Sequence, residues 1–387
     1  MTMQRRELFR VAAVSAAGLS LMGCAAQSVQ TAVQPAEGGA AFVPPTAEKP
    51  LIMSFNENPL GMSAEAKKAV AAAAENGSRY PFARVEVLRK AVASYMGGKP
   101  ENILLTHGSA EAIRASIEAY KTSGVQVVAP ELTYSDGTDT AEKNGMKVKR
   151  MPMGSDWSID IAAMKKAVAS YKGASIVYFV NPNNPTSTIV NSTELLDWIS
   201  SKPARTMFVV DEAYTEFVAD PSFKSAATLV DAGFENVIVL RTFSKIFAMA
   251  GMRLGFAYAS PGVVQNVKKH VAYDIMMSTT AIEAALAELA DKDFIEFSRA
   301  QNAEARKVLT DGLDKLGIKY LPSQTNFVFM DLKAPLKPFA DRMKAENIWV
   351  GRPFPPALTW CRVSLGTPAE TAYFVKKLFE FREKGWI

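Results

Sequence analysis

One stretch of this chain decides how the rest is interpreted: Arg241-Thr-Phe-Ser-Lys-Ile-Phe-Ala-Met-Ala-Gly-Met-Arg-Leu-Gly255. It follows an apolar run, Val-Ile-Val-Leu at residues 237–240, which predicts a short buried strand. Apolar residues surround Lys245, and removal from water disfavours a charged amine and so lowers its pKa. An amine that has lost its proton can attack an aldehyde, so the stretch predicts a nucleophilic lysine. The alternative is a lysine that extends its stem along an amphipathic surface helix.

The same stretch offers two groups that suit a phosphate. Ser244 supplies a hydroxyl beside the lysine, and Arg253 supplies a guanidinium a short distance along the chain. An arginine presents a planar fork of N–H donors that matches the oxygens of a phosphate. We therefore expect an anionic group of a ligand to bind near Lys245.

Three further motifs precede this stretch in the chain. They are Asn56-Glu-Asn-Pro-Leu-Gly61, Asn181-Pro-Asn-Asn-Pro185 and Asp211-Glu-Ala-Tyr214. Together with the lysine stretch, they resemble the histidinol-phosphate aminotransferase branch of the fold-type-I pyridoxal phosphate enzymes. The resemblance extends from about Leu51 to the C-terminus. It implies pyridoxal 5'-phosphate as the cofactor and an α/β fold, with a mainly parallel, seven-stranded sheet in a large domain and a smaller α+β domain.

The order of the predicted elements agrees with that fold. Apolar strands alternate with helices from about residue 76 to residue 260, which indicates a mainly parallel sheet with helices on both faces. Ligands of such sheets bind at the carboxyl ends of the strands, where the motifs fall. We expect a large cofactor-binding domain at residues 76–265, a small C-terminal domain at residues 266–387, and an N-terminal arm at residues 50–75 that joins the small domain.

Several polar side chains that follow predicted strands match cofactor contacts of the family. Asp211 follows the apolar run at residues 207–210, and a buried carboxylate is unfavourable unless a cation pairs with it. The resemblance implies that this cation is the pyridine nitrogen of the cofactor, whose ring then accepts electrons; a helix N-cap aspartate is the alternative. By the same resemblance, Asn184 and Tyr214 bond the phenolic oxygen of the cofactor, and Tyr134 stacks on its ring.

A phosphate-binding turn is predicted after the apolar run at residues 103–106. That strand leads into a turn of small residues and a helix, and in such an arrangement N–H groups and the helix dipole converge on an anion. The resemblance assigns Gly108, Ser109 and Ala110 to the phosphate of the cofactor. It also assigns Tyr80 to the cofactor phosphate of a neighbouring subunit, so a homodimer is expected.

Substrate contacts are expected in the arm and in the small domain. Arg362 lies in an apolar strand predicted at residues 360–365, and a buried arginine needs an anion. A strand arginine that faces solvent is the alternative. The resemblance implies that Arg362 binds the substrate carboxylate, with Arg352 and Asn326 close by and Asn58 near the substrate.

The reaction implied by the resemblance is transamination. An amino acid, or an amine such as histidinol phosphate, would give its amino group to a 2-oxo acid such as 2-oxoglutarate, with Lys245 as the general acid and base. Two alternatives stay open at this point. One is a decarboxylase or lyase, since phosphothreonine decarboxylases resemble the same branch, and the other is a non-catalytic exported binding protein that kept the fold.

Composition argues against several other classes of protein. Of the 387 residues, 48% are hydrophobic and 21% are charged, as in ordinary globular proteins. The formal charge of +5 comes partly from arginines at the N-terminus, and the balanced remainder has no basic run, which argues against binding of nucleic acid. Two histidines and two cysteines, far apart, predict no metal site. A disulfide between Cys24 and Cys361 is an alternative to the role of Cys24 given below.

The N-terminus has the features of a processing signal. Arg5 and Arg6 precede an apolar run at residues 11–22, which is too short to span a membrane and suits a secretory signal. The twin arginines resemble a Tat-type address. The run ends in Leu-Met-Gly-Cys24, which resembles a bacterial lipobox whose cysteine is lipidated. The alternative is a short buried helix with an incidental cysteine.

These features predict where the protein is found. Residues 1–24 are expected to be a Tat-type lipoprotein signal, and residues 25–49, rich in Ala, Gln, Val, Pro and Gly, a flexible tether. We therefore expect an exported, periplasmic protein held at the membrane by a lipid on Cys24.

Overall fold

A computed structural model describes residues 42–387 of the chain. The predicted signal with Cys24 and the tether as far as residue 41 lie outside the described residues. The strands of the described part are β1 (Leu51–Met53), β2 (Ile103–Thr106), β3 (Gln126–Pro130), β4 (Lys147–Met151), β5 (Ser175–Val180), β6 (Thr206–Asp211), β7 (Val237–Thr242), β8 (Gly255–Ala259), β9 (Phe327–Asp331), β10 (Ile348–Val350) and β11 (Trp360–Ser364).

The helices of the same part connect these strands. They are α1 (Ala64–Ala74), α2 (Phe82–Met96), α3 (Ser109–Ala119), α4 (Asp136–Lys143), α5 (Ile161–Ala169), α6 (Ser192–Ser200), α7 (Ala227–Asp231), α8 (Pro261–Lys268), α9 (Thr279–Ala290), α10 (Lys292–Leu316), α11 (Leu336–Ala345) and α12 (Pro368–Glu383). Within residues 42–387, no helix is both long enough and apolar enough to cross a membrane.

A seven-stranded sheet forms the centre of the larger core, with the strand order β2-β8-β7-β6-β5-β3-β4. Neighbouring strands of this sheet pair in parallel, except that β8 runs antiparallel to both β2 and β7. Six of the seven strands are buried at every position because both faces of the sheet are covered there. The edge strand β4 is the exception, since it carries Lys147, Lys149 and Arg150 and is largely exposed. Phe208 packs into the hydrophobic cluster on one face, and the next residue, Val209, packs into the cluster on the other. The mainly parallel sheet predicted from the sequence is thus confirmed.

A smaller core is built on two short pairs of strands. β9 pairs antiparallel with β11, and β1 pairs in parallel with β10. Apolar side chains of α10, α11 and α12 join these strands in one cluster, which includes Leu309, Met343 and Phe374. Leu51 and Met53 of the arm belong to the same cluster, so the arm contributes a strand to the small domain.

The two cores divide the chain differently from the predicted boundaries. α9 lies beyond residue 265, yet its Ile282 packs into the cluster of the large sheet. α10 reaches both cores, because Ile295 near its start belongs to the larger cluster and Leu309 belongs to the smaller one. The predicted tether also ends before residue 49, since the ring of Phe42 lies 5.2 Å from that of Tyr373.

Candidate active site

The carboxyl ends of β5, β6 and β7 meet at a cavity of about 410 Å³. This volume lies within the usual range for sites that bind small molecules. The predicted site residues in its walls are Ser109, Ala110, Tyr134, Asn184, Asp211, Tyr214, Ser244, Lys245, Arg253, Arg352 and Arg362. The structure therefore brings together side chains that are far apart in the sequence, at the edge of the sheet where they were expected.

Lys245 lies in the loop that follows β7, with its amine directed to the arm. Its Nζ donates a hydrogen bond to the carbonyl oxygen of Asn56 (3.0 Å) and lies 5.5 Å from the centre of the Tyr214 ring. Burial lowers the pKa of Lys245 to about 8, and the positive charge of Arg362 acts in the same direction. Near neutral pH, about a tenth of this amine is then in the neutral form that attacks an aldehyde.

Asp211 ends β6 and is almost fully buried, with 3% of its surface exposed. One of its carboxylate oxygens accepts a hydrogen bond from the backbone N–H of Ala213 (3.1 Å). Burial nevertheless raises the pKa of Asp211 to about 7, and the nearby carboxyl of Asp136 adds to the rise. A cation bound against Asp211 would favour the ionised form. This side chain therefore suits a protonated ring nitrogen.

The anionic end of the site is built on the start of α3. Gly108 precedes this helix with φ at +80°, and a Cβ added there would overlap Nη2 of Arg253. A Cβ added at Gly255 would likewise overlap the backbone nitrogen of Ser109. Two glycines thus let a guanidinium approach the N-terminus of a helix, and the Ser244 side chain lines the same cavity. This combination favours a phosphate.

The polar groups of the cavity fit the chemical groups of pyridoxal phosphate. The cavity offers a buried carboxylate for the ring nitrogen, an amine of lowered pKa for the aldehyde, and a helix N-terminus with an arginine for the phosphate. Tyr134 also lines the cavity, and burial raises the pKa of its hydroxyl far above the usual value, so the hydroxyl stays protonated. Burial likewise raises the pKa of Tyr214 to about 12.

Arg362 projects from β11 and is 9% exposed, which excludes the alternative of an arginine that faces solvent. Its Nη1 donates to Oδ1 of Asn184 (2.7 Å), and its Nη2 donates to the backbone carbonyl of Ser54 (2.5 Å). Its guanidinium carbon lies 4.9 Å from the centre of the Phe354 ring, and that of Arg352 lies 4.5 Å from the same ring. Two cationic side chains therefore stand at one side of the cavity.

Two residues expected near the substrate lie outside the cavity. Asn58 donates through Nδ2 to the carbonyl of Ile246 (3.0 Å) and to the hydroxyl of Ser298 (2.7 Å), so its amide fastens the arm to the lysine loop and to α10. Asn326 donates to the carbonyl of Asn56 (3.0 Å). Both amides hold the arm in place and do not line the cavity, and their roles as substrate contacts stay predictions.

Asn56, two residues before Asn58 in the same motif, lines the cavity although no sequence pattern singled it out. Asn56 is 1% exposed, and its Nδ2 donates to the hydroxyl of Tyr214 (3.0 Å) while its Oδ1 accepts from Ser364 (3.0 Å). Its φ of +56° is a conformation that asparagine tolerates better than most residues. The motif contains both asparagines, and nothing in its pattern indicated which of them faces the cavity.

Tyr80 does not line the cavity of its own chain. It is 73% exposed, and its ring stacks on that of Phe82 with the centres 5.5 Å apart. Its contact with the cofactor of a neighbouring subunit stays a prediction.

Comparisons with known proteins agree with this site. The sequence model of the family "aminotransferase class I and II" matches residues 48–378, so the chain belongs to that family. It is a pyridoxal phosphate-dependent aminotransferase. Among its relatives, the histidinol-phosphate aminotransferase of Moorella thermoacetica is 32% identical over 330 residues, which cover 85% of this chain and 84% of that protein. That of Symbiobacterium thermophilum is 35% identical over 332 residues, which cover 84% and 89%.

Solved structures give the same result. A crystal structure from Erwinia carotovora atroseptica, provisionally named a histidinol-phosphate aminotransferase, is 47% identical with a TM-score of 0.88, and the match covers 90% of this chain and all of that one. The histidinol-phosphate aminotransferase of Sinorhizobium meliloti, solved with pyridoxal 5'-phosphate, is 26% identical with a TM-score of 0.80 and coverage of 86% and 91%. A threonine-phosphate decarboxylase from Porphyromonas gingivalis, at 21% identity and a TM-score of 0.71 with coverage of 86% and 99%, shares the fold alone.

Proposed function

We propose that this aminotransferase moves an amino group from an amino acid, or from an amine like histidinol phosphate, to a 2-oxo acid such as 2-oxoglutarate. One observation carries the proposal: an amine with a pKa of about 8 and a buried carboxylate, Lys245 and Asp211, line the same cavity as a phosphate-suited helix N-terminus. The relatives named histidinol-phosphate aminotransferases support the substrate type.

The cavity residues would hold the cofactor by its three polar parts. Asp211 would pair with the ring nitrogen, Asn184 and Tyr214 with the phenolic oxygen, and Tyr134 would cover the ring. The phosphate would bind to the residues at the start of α3 together with two side chains of the lysine loop; these are Gly108, Ser109, Ala110, Ser244 and Arg253. When bound, pyridoxal phosphate supplies an aldehyde and a ring that accepts electrons from the α-carbon of the substrate.

Lys245 would transfer the proton of the substrate, and Arg362 would bind its carboxylate. Nζ of Lys245 takes the proton from the α-carbon of the substrate and later returns one, and a pKa of about 8 allows it to do both near neutral pH. Arg362 binds the substrate carboxylate and fixes the orientation of the α-carbon towards that amine. Arg352 provides a second cation near the same substrate. The relatives named aminotransferases support transamination rather than decarboxylation.

The active enzyme would be a homodimer in which Tyr80 reaches the cofactor phosphate of the neighbouring subunit. The exposure of Tyr80 and Phe82, at 73% and 48%, supports such a contact, because large aromatic side chains left in water are favourable anchors for a partner. Each site would then be incomplete in a monomer.

The enzyme would act outside the cytoplasm, held to a membrane through a lipid on Cys24. The twin arginines, the short apolar run and the lipobox-like end of the signal support this location. Tat-type export carries folded proteins, so a cofactor loaded in the cytoplasm could remain in place.

A panel of amino acids and histidinol phosphate, each incubated with 2-oxoglutarate, tests the proposed reaction. We expect glutamate to form together with the oxo product of one donor, and Lys245→Ala to remove both this activity and the visible absorbance of the bound cofactor that depends on the lysine. Lys315→Ala, at an exposed lysine in the last turn of α10, is the control. Release of carbon dioxide without glutamate would overturn the proposal, and absorbance that does not depend on Lys245 would favour a binding protein.

A further inference from the structure

A second depression of about 590 Å³ adjoins the cavity on the side of the small domain. We call it the distal groove. Its walls are formed by Ser54, Phe55, Leu336, Lys337, Ala340, Asp341, Lys344, Trp349, Val350, Gly351, Arg352, Pro353 and Arg362. Four of these residues, Ser54, Phe55, Arg352 and Arg362, belong to the boundary with the cavity, because Phe55, Arg352 and Arg362 line both spaces and Ser54 accepts a hydrogen bond from Arg362.

The distal groove begins directly beside the reacting lysine. The backbone carbonyl of Phe55 lies 3.4 Å from Nζ of Lys245, and the Phe55 side chain is 62% exposed. A substrate whose α-carbon is held by Lys245 and Arg362 would therefore extend its side chain past Phe55 and Arg352, which line both spaces. The cavity itself must also accommodate the cofactor, so a long side chain needs additional space of this kind.

Apolar residues form one wall of the groove. Trp349 on β10 is 40% exposed, and Leu336, Ala340 and Val350 stand in the same wall. Exposed aromatic side chains that border a concave surface are typical of places that bind the apolar part of a ligand. The wall would therefore favour a side chain with several methylene groups or a ring.

The charges of the distal groove favour an anion. Lys337 forms an ion pair with Asp341, with 2.6 Å between the charged atoms. Within residues 42–387, Lys344, Arg352 and Arg362 have no carboxylate within salt-bridge distance. Besides Arg362, which is assigned to the substrate carboxylate, the groove therefore keeps two uncompensated positive charges, those of Lys344 and Arg352. Of these, Arg352 stands at the boundary with the cavity, over the Phe354 ring, and Lys344 lies in the last turn of α11.

We infer that the distal groove binds the side chain of the amino donor and selects donors in which a long apolar side chain ends in an anionic group, either a carboxylate or a phosphate. The inference rests on the proposed aminotransferase function and specifies its substrate class. The apolar wall accounts for the length of the side chain, and Lys344 with Arg352 accounts for its terminal charge.

Single turnovers of the enzyme loaded with its cofactor test the inference, followed by the visible absorbance of that cofactor. The donors are alanine, histidinol phosphate, norleucine, 2-aminoadipate, 2-aminopimelate, 2-aminosuberate and 2-amino-5-phosphonopentanoate. We expect kcat/KM to be higher for the long anionic donors than for alanine or for the neutral norleucine. The phosphono and carboxy compounds together show which anion the groove prefers.

Two variants connect the preference to the groove. Lys344→Glu should lower kcat/KM for the long anionic donors about tenfold, and Trp349→Ala about fivefold, with alanine turnover unchanged. The matched control is Lys315→Glu, which reverses the charge of an exposed lysine at the same place in another helix and should change nothing.

The outcomes separate the two proposals. If the wild type turns over none of the donors, the proposed function itself fails, and the inference fails with it. If the wild type turns over short donors without preferring the long anionic ones, or if Lys344→Glu leaves the preference unchanged, the inference alone is overturned. Trp349→Ala could instead change the dimer, seen by sedimentation, while the preference for long anionic donors is retained. That result would show that a second copy of the chain covers the groove, and it would also overturn the inference.

Discussion

Nη1 of Arg362 donates a hydrogen bond of 2.7 Å to Oδ1 of Asn184, and this bond links β11 of the small core to the loop after β5. Because Oδ1 of Asn184 accepts this bond, its Nδ2 is the group left to donate to an oxygen of a ligand. Nε of Arg362 is buried and has no hydrogen-bond partner among residues 42–387. One side chain thus orients the amide of Asn184 and also places its positive charge in the wall of the cavity.

Arg362→Lys should separate substrate binding from cofactor binding. Lysine keeps the positive charge but loses the planar fork of donors. The loss of one hydrogen bond to a charged group costs about 3 kcal/mol, so kcat/KM for amino acids should fall about 100-fold. Steady-state kinetics and a titration with pyridoxal phosphate measure the two effects. Arg306→Lys is the control, because this half-buried arginine donates to the carbonyl of Thr325 (3.3 Å) and does not line the cavity. Equal loss of cofactor affinity in Arg362→Lys would contradict the role in substrate binding.

Gly108→Ala should weaken cofactor binding at the phosphate end. The added Cβ would overlap Nη2 of Arg253, and a φ of +80° is strained for alanine, so the dissociation constant for pyridoxal phosphate should rise about tenfold or more. Gly97→Ala is matched to it, with φ at +76° and no atom within 4 Å of an added Cβ. This control should lower the free energy of unfolding by about 1 kcal/mol and leave cofactor affinity unchanged. Equal affinities in the two variants would exclude the phosphate role.

The sequence was sufficient where a local pattern determines the structure. β2 has the bounds expected from the apolar run at residues 103–106, because an apolar run between turns is a local property. The meeting of Asp211, Asn184 and Lys245 was also predictable, since the carboxyl ends of parallel strands share one edge of a sheet.

The sequence was insufficient where the outcome depends on distant contacts. Asn56 rather than Asn58 faces Tyr214, and this choice depends on a turn of the arm and on a bond to Ser364 more than 300 residues away. The domain boundary was placed too early because α10 packs its two ends into different cores, and no pattern within the helix marks that change.

The rate at which the protein without cofactor captures pyridoxal phosphate should depend on the pKa of Lys245. Only the neutral amine attacks, so below a pKa of about 8 the rate should rise about tenfold per pH unit, and above it the rate should level off. The pKa of Asp211 is raised to about 7, so Asp211 becomes protonated below that pH. The loss of its negative charge should lower the rate of capture further at low pH. Stopped-flow absorbance between pH 6 and pH 10 measures the profile. A rate that continues to rise towards pH 10, as for an exposed lysine, would contradict the lowered pKa.

Cys24→Ser should abolish incorporation of labelled fatty acid into the protein when it is expressed in a bacterium with Tat export. The expectation follows from the lipobox-like sequence, in which the cysteine thiol is the atom that receives the lipid. Cys361→Ser is the control, because Cys361 is buried in β11 and should not affect labelling. Labelling that persists in Cys24→Ser would exclude the proposed anchor.

Arg241→Ala should be strongly destabilising although Arg241 does not line the cavity. Its guanidinium is buried between two carboxylates, with Nη1 3.1 Å from Glu212 and Nη2 2.6 Å from Glu216. Removal of the arginine leaves both carboxylates buried without their cation, which should cost about 3–5 kcal/mol in the free energy of unfolding. Arg150→Ala is the control, because Arg150 pairs with Glu142 at 2.6 Å on the surface and should contribute less than about 1 kcal/mol.

The pH dependence of the same variant gives a second measurement. Burial raises the pKa of Glu212. A carboxyl group whose pKa is raised in the folded state lowers the stability of the protein when it is ionised, and this loss disappears when the group is protonated. The deficit of Arg241→Ala relative to the wild type should therefore be largest at pH 8 and should shrink as the pH falls towards the pKa of Glu212. Urea unfolding at pH 8 and pH 5 compares the two proteins. A deficit that is the same at both pH values would indicate that lost packing, rather than an uncompensated carboxylate, causes the destabilisation.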